Sequence, residues 1–143
     1  MTAELVIKKP NEKEYAQVLQ HVEEFWLDDS CMKPEQFSII SDNGKVIAFA
    51  RIKEYADAVE LGTLGVAKEF RGKGFGSKLV NHLLNEAKSD IYVVTTIFKF
   101  NANLGFVLTD EYPESIQHKI DTCCKDYHVD EPYFVMKWEN KKK

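Results

Sequence analysis

Long apolar runs and an excess of basic charge are both missing from this sequence. No stretch reaches the roughly 18 consecutive apolar residues that a membrane-spanning helix requires, and the opening MTAELVIKKPNEKEY lacks the apolar core of a secretory signal. The net charge of −4 does not favour nucleic acid as a partner. These absences predict a soluble, cytoplasmic protein that binds neither membranes nor nucleic acid.

Cysteine is also scarce. The three cysteines are an odd number, which leaves at least one thiol unpaired, and the neighbours Cys123 and Cys124 are poorly placed to bridge each other. Reduced thiols in a cytosol are the simplest account. The spacing of His118, Cys123, Cys124 and His128 matches no zinc pattern, so we expect no metal site.

The remaining composition is that of a compact domain. With 143 residues, 44% of them hydrophobic, the chain is long enough to bury most of its apolar surface in one core and short for two. We therefore expect a single domain over residues 1–143, with residues 3–138 ordered and residues 139–143 forming a charged tail.

Helical periodicity marks two segments. Asn11, with Glu14 three residues later, is typical of a helix N-terminus in which the two residues cap each other. The apolar stripe after this cap is formed by Tyr15, Val18, Leu19, Val22, Phe25 and Trp26. A second stripe, after Ser77, predicts a helix whose buried residues are Leu79, Val80, Leu83, Leu84 and Ala87.

Strands are predicted on both sides of the second helix. Asn43-Gly44 lies between two β-rich runs and predicts a hairpin. AVELGTLGVA predicts a further strand, DIYVVTTI a fully buried one, LGFVL a strand after a short helical turn, and PYFVMKW the last strand. Residues 112–127 stay ambiguous, with helix as one option. This order predicts an α/β or α+β domain with at least one crossover unit.

The stretch EFRGKGFGSKLVNHLL, residues 69–84, places three glycines at the start of the second helix. Glycines permit conformations in which successive N–H groups point inward, and the helix dipole adds attraction for an anion. Arg71 and Lys73 supply cationic partners for phosphate. The spacing excludes a P-loop and a dinucleotide fingerprint, while a tight corner that binds nothing stays an alternative.

Arg71-x-x-Gly74-x-Gly76 resembles the acetyl-CoA loop of the GNAT superfamily of N-acetyltransferases, and Leu104-Gly105-Phe106 resembles a second motif of that family. The succession of elements from Leu5 to Trp138 is similar as well. The resemblance implies a single-domain GNAT-like fold: a central mixed, mostly antiparallel sheet flanked by helices, with a splayed strand pair holding acetyl-CoA. It also implies transfer of acetyl from acetyl-CoA to a primary amine by direct attack.

The resemblance assigns roles to the strand and the loop. A backbone N–H near Leu64 or Gly65 is expected to polarise the acetyl carbonyl. The pantetheine arm is expected to lie along Leu64, Gly65, Val66 and Ala67. The diphosphate is expected on Arg71, Gly72, Lys73, Gly74, Phe75, Gly76 and Ser77. A plain strand, in which small residues permit close packing, is the alternative for the first segment.

Acetylation of an amine needs a base, because an alkyl ammonium with a pKa near 10.4 is mostly protonated at neutral pH. Glu60, six residues before Val66, resembles the general-base glutamate of the family's histone-modifying branch. Strand alternation places Glu60, Gly62 and Leu64 on one face. A solvated strand glutamate is the alternative, and Asp57 is a weaker candidate.

At the position where many family members have a tyrosine acid, this chain has Asn101, which cannot donate a proton as an acid. Either water protonates the CoA thiolate, or Tyr92 substitutes, or the chemistry is impaired. Asn101 is therefore expected either to hydrogen-bond the cofactor or to cap a helix.

The acceptor is expected to be a small-molecule amine or amino acid, since the run from Val93 onward loosely resembles the family's amino-acid-acetylating branch. Phe25 and Trp26 are candidates to line its site, with core packing as the alternative. A homodimer is left open. A non-catalytic CoA-binding regulatory domain, or a scaffold whose glycine loop is architectural, are the competing functions.

Overall fold

The computed structural model describes residues 5–27, 29, 31–126 and 133–141, with backbone alone for residues 122–126. The described strands are β1 (Leu5–Lys8), β2 (Phe37–Asp42), β3 (Lys45–Glu54), β4 (Val59–Val66), β5 (Ile91–Thr95), β6 (Val107–Leu108) and β7 (Phe134–Trp138). The described helices are α1 (Glu12–Glu24), α2 (Phe75–Glu86), α3 (Phe98–Asn103) and α4 (Glu114–Asp126), with short 3₁₀ turns at Pro34–Gln36 and Lys68–Phe70.

The strands form one sheet in the order β1-β2-β3-β4-β5-β7-β6. β1 with β2, β2 with β3, β5 with β7 and β6 with β7 pair antiparallel. β4 pairs parallel with β5 through Glu60 with Tyr92 and Leu61 with Val93. The expected mixed, mostly antiparallel sheet flanked by helices is confirmed. The chain divides into two compact units, one of Met1–Ile52 and Gly62–Leu84, the other of Lys53–Leu61 and Asn85–Lys143.

Helix α1 of the first unit begins at the predicted cap. The Asn11 side chain accepts from the Glu14 N–H at 2.8 Å, and the Glu14 carboxylate accepts from the Asn11 N–H at 3.0 Å. Of the predicted stripe, Val18 and Val22 are buried, but Leu19 is 40% and Trp26 88% exposed. The core they join contains Phe37, Ile39, Val46 and Phe49. The stripe is therefore narrower than the periodicity indicated.

Trp26 is exposed because the helix ends before it. The Leu27 N–H donates to the Val22 carbonyl at 3.0 Å and the Trp26 N–H to Glu23 at 3.4 Å, which is the Schellman ending. This ending needs a left-handed residue at Trp26, whose φ is +56°. Glycine is the usual residue there, so a tryptophan carries a backbone cost.

The two other local predictions in this unit hold, with one shift. Asn43 and Gly44 both adopt positive φ, 49° and 89°, as a two-residue hairpin turn requires. Helix α2 begins at Phe75, two residues before the expected Ser77. The reason is that the Gly74 carbonyl already accepts the Lys78 N–H at 3.0 Å, which closes the first turn earlier.

In the second unit, the ambiguous segment is helical as α4. Ile116 and Ile120 of this helix pack with Val135 of β7, and Tyr92 and Val94 of β5 contact the same cluster. β5 is only partly as expected, since Tyr92 and Val94 are half-buried between buried neighbours. After β7, the backbone N–H of Asn140 donates to the Asp90 carboxylate at 2.8 Å. None of the helices described is long and apolar enough to span a bilayer.

Candidate functional site

Strand β4 is interrupted at Thr63. Its φ of +47° is left-handed, which is a true outlier for a β-branched residue. The fully buried Arg51 donates from Nε to the Thr63 hydroxyl at 3.1 Å and so supports this conformation. The break lies between Gly62 and Gly65. Regular alternation therefore does not run through β4, where Glu60, Leu61 and Thr63 are all buried.

Beyond the break, Gly65 is required by packing. A Cβ built on it would lie 2.3 Å from Cζ of Phe49, and Phe49 is fully buried. Leu64, Gly65 and Val66 are half-buried, and the buried Ala67 donates its N–H to the Ile47 carbonyl at 2.9 Å. The alternative expected for this segment, close packing against a small residue, thus applies at Gly65.

The glycine loop owes its composition to backbone conformation. Gly72 and Gly74 have φ of +77° and +84°, and a Cβ on either would meet no atom within 4 Å. Crowding therefore does not demand glycine at these two positions, but the left-handed backbone does. The loop leads into the first turn of α2, whose N–H groups have no partner inside a helix. Gly76 is buried there, while Phe75 and Ser77 are half-buried.

Two cations, Arg71 and Lys73, precede this helix start, and its first turn contains no acidic residue. Arg71 is exposed, donates from Nε to the Val66 carbonyl at 3.0 Å, and has its guanidinium carbon 4.5 Å from the centre of the Phe25 ring. Lys73 lies 5.8 Å from the Phe70 ring centre. Backbone donors, a helix dipole and two exposed cations together suit a polyanion.

Glu60 lies in the second unit and is fully buried. Its Oε1 accepts from the Tyr55 hydroxyl at 2.8 Å, and its Oε2 is paired with the Lys119 ammonium of α4, whose side chain is 10% exposed. A solvated strand glutamate, the alternative expected from the sequence, does not describe this residue. The weaker candidate Asp57 accepts the Ser115 N–H at 3.2 Å at the start of α4, and hydrogen bonds from Ser115 lower its pKa.

Asn101 is 2% exposed and its amide orientation is defined. Nδ2 donates to the Thr95 hydroxyl and to the Ile97 carbonyl, both at 3.1 Å. Among the described residues, Oδ1 is buried without a hydrogen-bond partner. Rotating the amide would place oxygen against the Ile97 carbonyl, so the orphan atom is an acceptor. Tyr92, the substitute acid considered above, packs against the cluster formed by Ile116, Ile120 and Val135.

Three residues with clear roles were not found from the sequence: Tyr55, Lys119 and Arg51. Their contacts join residues that no local pattern connects, since Lys119 and Glu60 are 59 positions apart. Within the described residues no group of histidine, cysteine or carboxylate side chains is arranged to hold a metal. The side chains of Cys123 and Cys124, and the whole of His128, lie outside the described residues, whereas His118 is exposed.

The comparisons agree on the fold. The family model described as the acetyltransferase (GNAT) family matches residues 5–106. The N-acetylglutamate synthase of Neisseria gonorrhoeae, solved with coenzyme A and L-arginine, superposes with a TM-score of 0.76 at 20% identity, covering 99% of this chain but 34% of the synthase chain. The present chain thus spans about a third of that relative.

Two further solved structures share the fold over nearly the whole of their chains. A Mycobacterium tuberculosis protein in complex with CoA gives a TM-score of 0.77 at 17% identity over 94% of this chain and 99% of its own. ElaA of Escherichia coli gives 0.66 at 18% identity, over 96% of this chain and 100% of its own. No curated protein matches the sequence.

Proposed function

Because this chain belongs to the acetyltransferase (GNAT) family, we propose that it moves an acetyl group from acetyl-CoA to a small primary amine. The observation that carries the proposal is the glycine loop, with two left-handed glycines and exposed cations at the start of α2. This arrangement suits the CoA diphosphate, whose oxygens would accept from the first-turn N–H groups and from Arg71 and Lys73.

The strand segment after Thr63 would hold the rest of the cofactor. Leu64, Gly65 and Val66 follow a break in β4, and such breaks free backbone groups from regular ladder pairing. An N–H of Leu64 or Gly65 would stabilise the negative charge on the carbonyl oxygen of the tetrahedral intermediate. The amine nitrogen attacks the thioester carbon, the carbon–sulfur bond breaks, and the amine loses one proton as the thiolate gains one.

Glu60 is our candidate for the base that takes the amine proton. Glu60 is fully buried and its two oxygens accept hydrogen bonds from Tyr55 and Lys119, so an amine would reach the carboxylate directly only if one of these side chains moved aside. The alternative route is a relay, in which the Tyr55 hydroxyl oxygen would take the amine proton while that hydroxyl gives its own proton to Glu60. If neither occurs, the pair is a structural feature of the β3–β4 turn and α4.

Asn101 cannot protonate the thiolate, so water would do so, and a thiol pKa near 8.5 makes a protein acid unnecessary. Its buried Oδ1 acceptor supports a role as a hydrogen-bond partner of the cofactor. The acceptor we favour is a small amine or amino acid, in keeping with the N-acetylglutamate synthase similarity. A contact of the exposed Trp26 with that acceptor stays a prediction.

The first test is calorimetric titration with acetyl-CoA, and absence of binding at millimolar ligand would contradict the proposal. Gly74→Ala should weaken binding at least tenfold, because a side chain strains the left-handed loop. Gly44→Ala is the matched control, since Gly44 also has positive φ and open space but lies in the hairpin turn. It should lose similar stability and keep full affinity.

A second function deserves its own assay, because Asn101 and the paired Glu60 both favour a CoA-binding domain without catalysis. Free-thiol detection over a panel of amines and amino acids separates the two. Turnover by the native protein, lost in Glu60→Gln, supports the enzyme with Glu60 as base. Binding without turnover of any acceptor would support the binding domain.

A further inference from the structure

The ring of Phe25 contacts the cofactor loop. Phe25 is the residue that ends α1, and the guanidinium carbon of Arg71 lies 4.5 Å from its ring centre, well within the range of a cation–π contact. The Arg71 Nε–H is separately held by the Val66 carbonyl at 3.0 Å. One exposed arginine is therefore fixed at two points, by an aromatic ring and by the strand segment.

The Phe25 ring is itself held in place. Its N–H donates to the His21 carbonyl at 2.8 Å, and its ring stacks on the His21 imidazole with centres 5.2 Å apart and planes 17° apart. His21 stacks in turn on Phe49 at 5.9 Å and 9°. Phe49 is fully buried and lies against Gly65. A continuous stack of rings thus runs from the core to Arg71, all within the first unit.

We infer that Phe25 is a positioning residue for acetyl-CoA, holding Arg71 where its free N–H groups meet the diphosphate. The inference rests on the proposed function. Nε uses one of five guanidinium donors, which leaves the two terminal nitrogens for phosphate oxygens. An arginine held in place before binding loses less side-chain freedom when the anion arrives. This role differs from the acceptor contact expected for Phe25 from the sequence.

The decisive comparison uses two acetyl donors, acetyl-CoA and acetyl-pantetheine, the second of which has no diphosphate. Phe25→Leu removes the π face and should raise KM for acetyl-CoA about fivefold, the effect of losing one cation–π contact. Its kcat, its KM for the acceptor and its kinetics with acetyl-pantetheine should stay those of the native protein. Phe25→Tyr keeps the ring and should behave as native.

Coupling to Arg71 provides an independent readout. Phe25→Leu added to Arg71→Ala should cause no further loss with acetyl-CoA, because the residue being positioned is already absent. Phe98→Leu is the control for loss of an aromatic pair, since Phe98 pairs with Phe134 at 5.2 Å in the second unit. It should leave KM for acetyl-CoA unchanged. Phe25→Met, similar in volume and without a π face, replaces Phe25→Leu if that variant fails to fold.

The inference is wrong if Phe25→Leu and Phe25→Met lose equally with both donors, if they change KM for the acceptor alone, or if they bind acetyl-CoA as tightly as the native protein. Failure of the native protein to bind acetyl-CoA is a separate result. It would reject the proposed function itself, whereas a native protein that binds normally beside an unaffected Phe25 variant rejects only the role of Phe25.

Discussion

Gly65→Ala tests the packing of strand β4 against the core. The new methyl group would lie 2.3 Å from Cζ and 2.9 Å from both Cε atoms of Phe49, so it points at the tip of the ring. A normal contact between carbons is about 3.5 Å, so ring and strand must separate by about 1.2 Å. The ring has little room to retreat, because it is fully buried and stacked on His21.

We expect Gly65→Ala to lower the free energy of unfolding by about 2–3 kcal/mol, the upper part of the range for an overpacked core. Urea unfolding followed by far-UV circular dichroism measures it, and the midpoint should fall with an unchanged slope. Phe49→Leu replaces the ring by a shorter side chain, and as a single substitution it lowers stability because it leaves a cavity. In the double variant the methyl group has space. The double variant should therefore lose about 1–2 kcal/mol less free energy of unfolding than the sum of the two single losses.

Two results would refute this reasoning. If Gly65→Ala unfolds at the same urea concentration as the native protein, the contact with Phe49 does not constrain the strand. If the double variant shows a loss equal to the sum of the single losses, the destabilisation has another origin. Either result would leave the expected contact with the pantetheine arm as the explanation of the glycine.

Three further predictions concern stability. Burial raises the pKa of Glu14, but hydrogen bonds from Asn11, Lys8 and Ser41 outweigh it and the net pKa lies below the ordinary 4.5. The charged Glu14 carboxylate therefore contributes to the free energy of unfolding above pH 4.5, and this contribution is lost as the pH falls further. Glu14→Gln should lower the free energy of unfolding, measured with urea, by about 1–3 kcal/mol at pH 7 and by much less at pH 3. An equal cost at both pH values would contradict this. Lys119→Met leaves the buried Glu60 carboxylate without its counter-charge and should cost about 3–5 kcal/mol, largely recovered in Glu60→Gln/Lys119→Met; no recovery would show that the lysine matters through packing. At the left-handed position 26, the free energy of unfolding of Trp26→Gly should exceed that of Trp26→Ala by about 0.5–1 kcal/mol. The reverse order would show that this φ is not maintained.

The features predicted well from the sequence are those contained in a few consecutive residues. The reciprocal cap of Asn11 and Glu14, the Asn43-Gly44 turn and the left-handed glycines of the loop each follow from local sterics and hydrogen bonding. The order of strands and helices followed from periodicity for the same reason. The two motifs that resemble the GNAT family then indicated which fold these elements form.

The environment of Glu60 was beyond reach because its partner Lys119 comes from a segment 59 positions away that was itself ambiguous. Close packing at Gly65 was one of two alternatives from the sequence, and its partner Phe49 lies on β3, outside the segment that carried the prediction. Trp26 fitted the helical period, but a period does not state where a helix ends. In each case the deciding contact is tertiary.

The left-handed Thr63 has a consequence for how β4 tolerates length changes. Side chains alternate between the two faces of a regular strand, and Thr63 interrupts this alternation. The residues after Thr63 therefore do not continue the alternation of the residues before it. Deleting Thr63 would remove the hydroxyl that accepts from the buried Arg51 and draw the following residues back by one position, bringing Val66 to the place where Gly65 leaves space for the Phe49 ring. Deletion of this one residue should accordingly lower the free energy of unfolding far more than deletion of one residue in the β2–β3 turn.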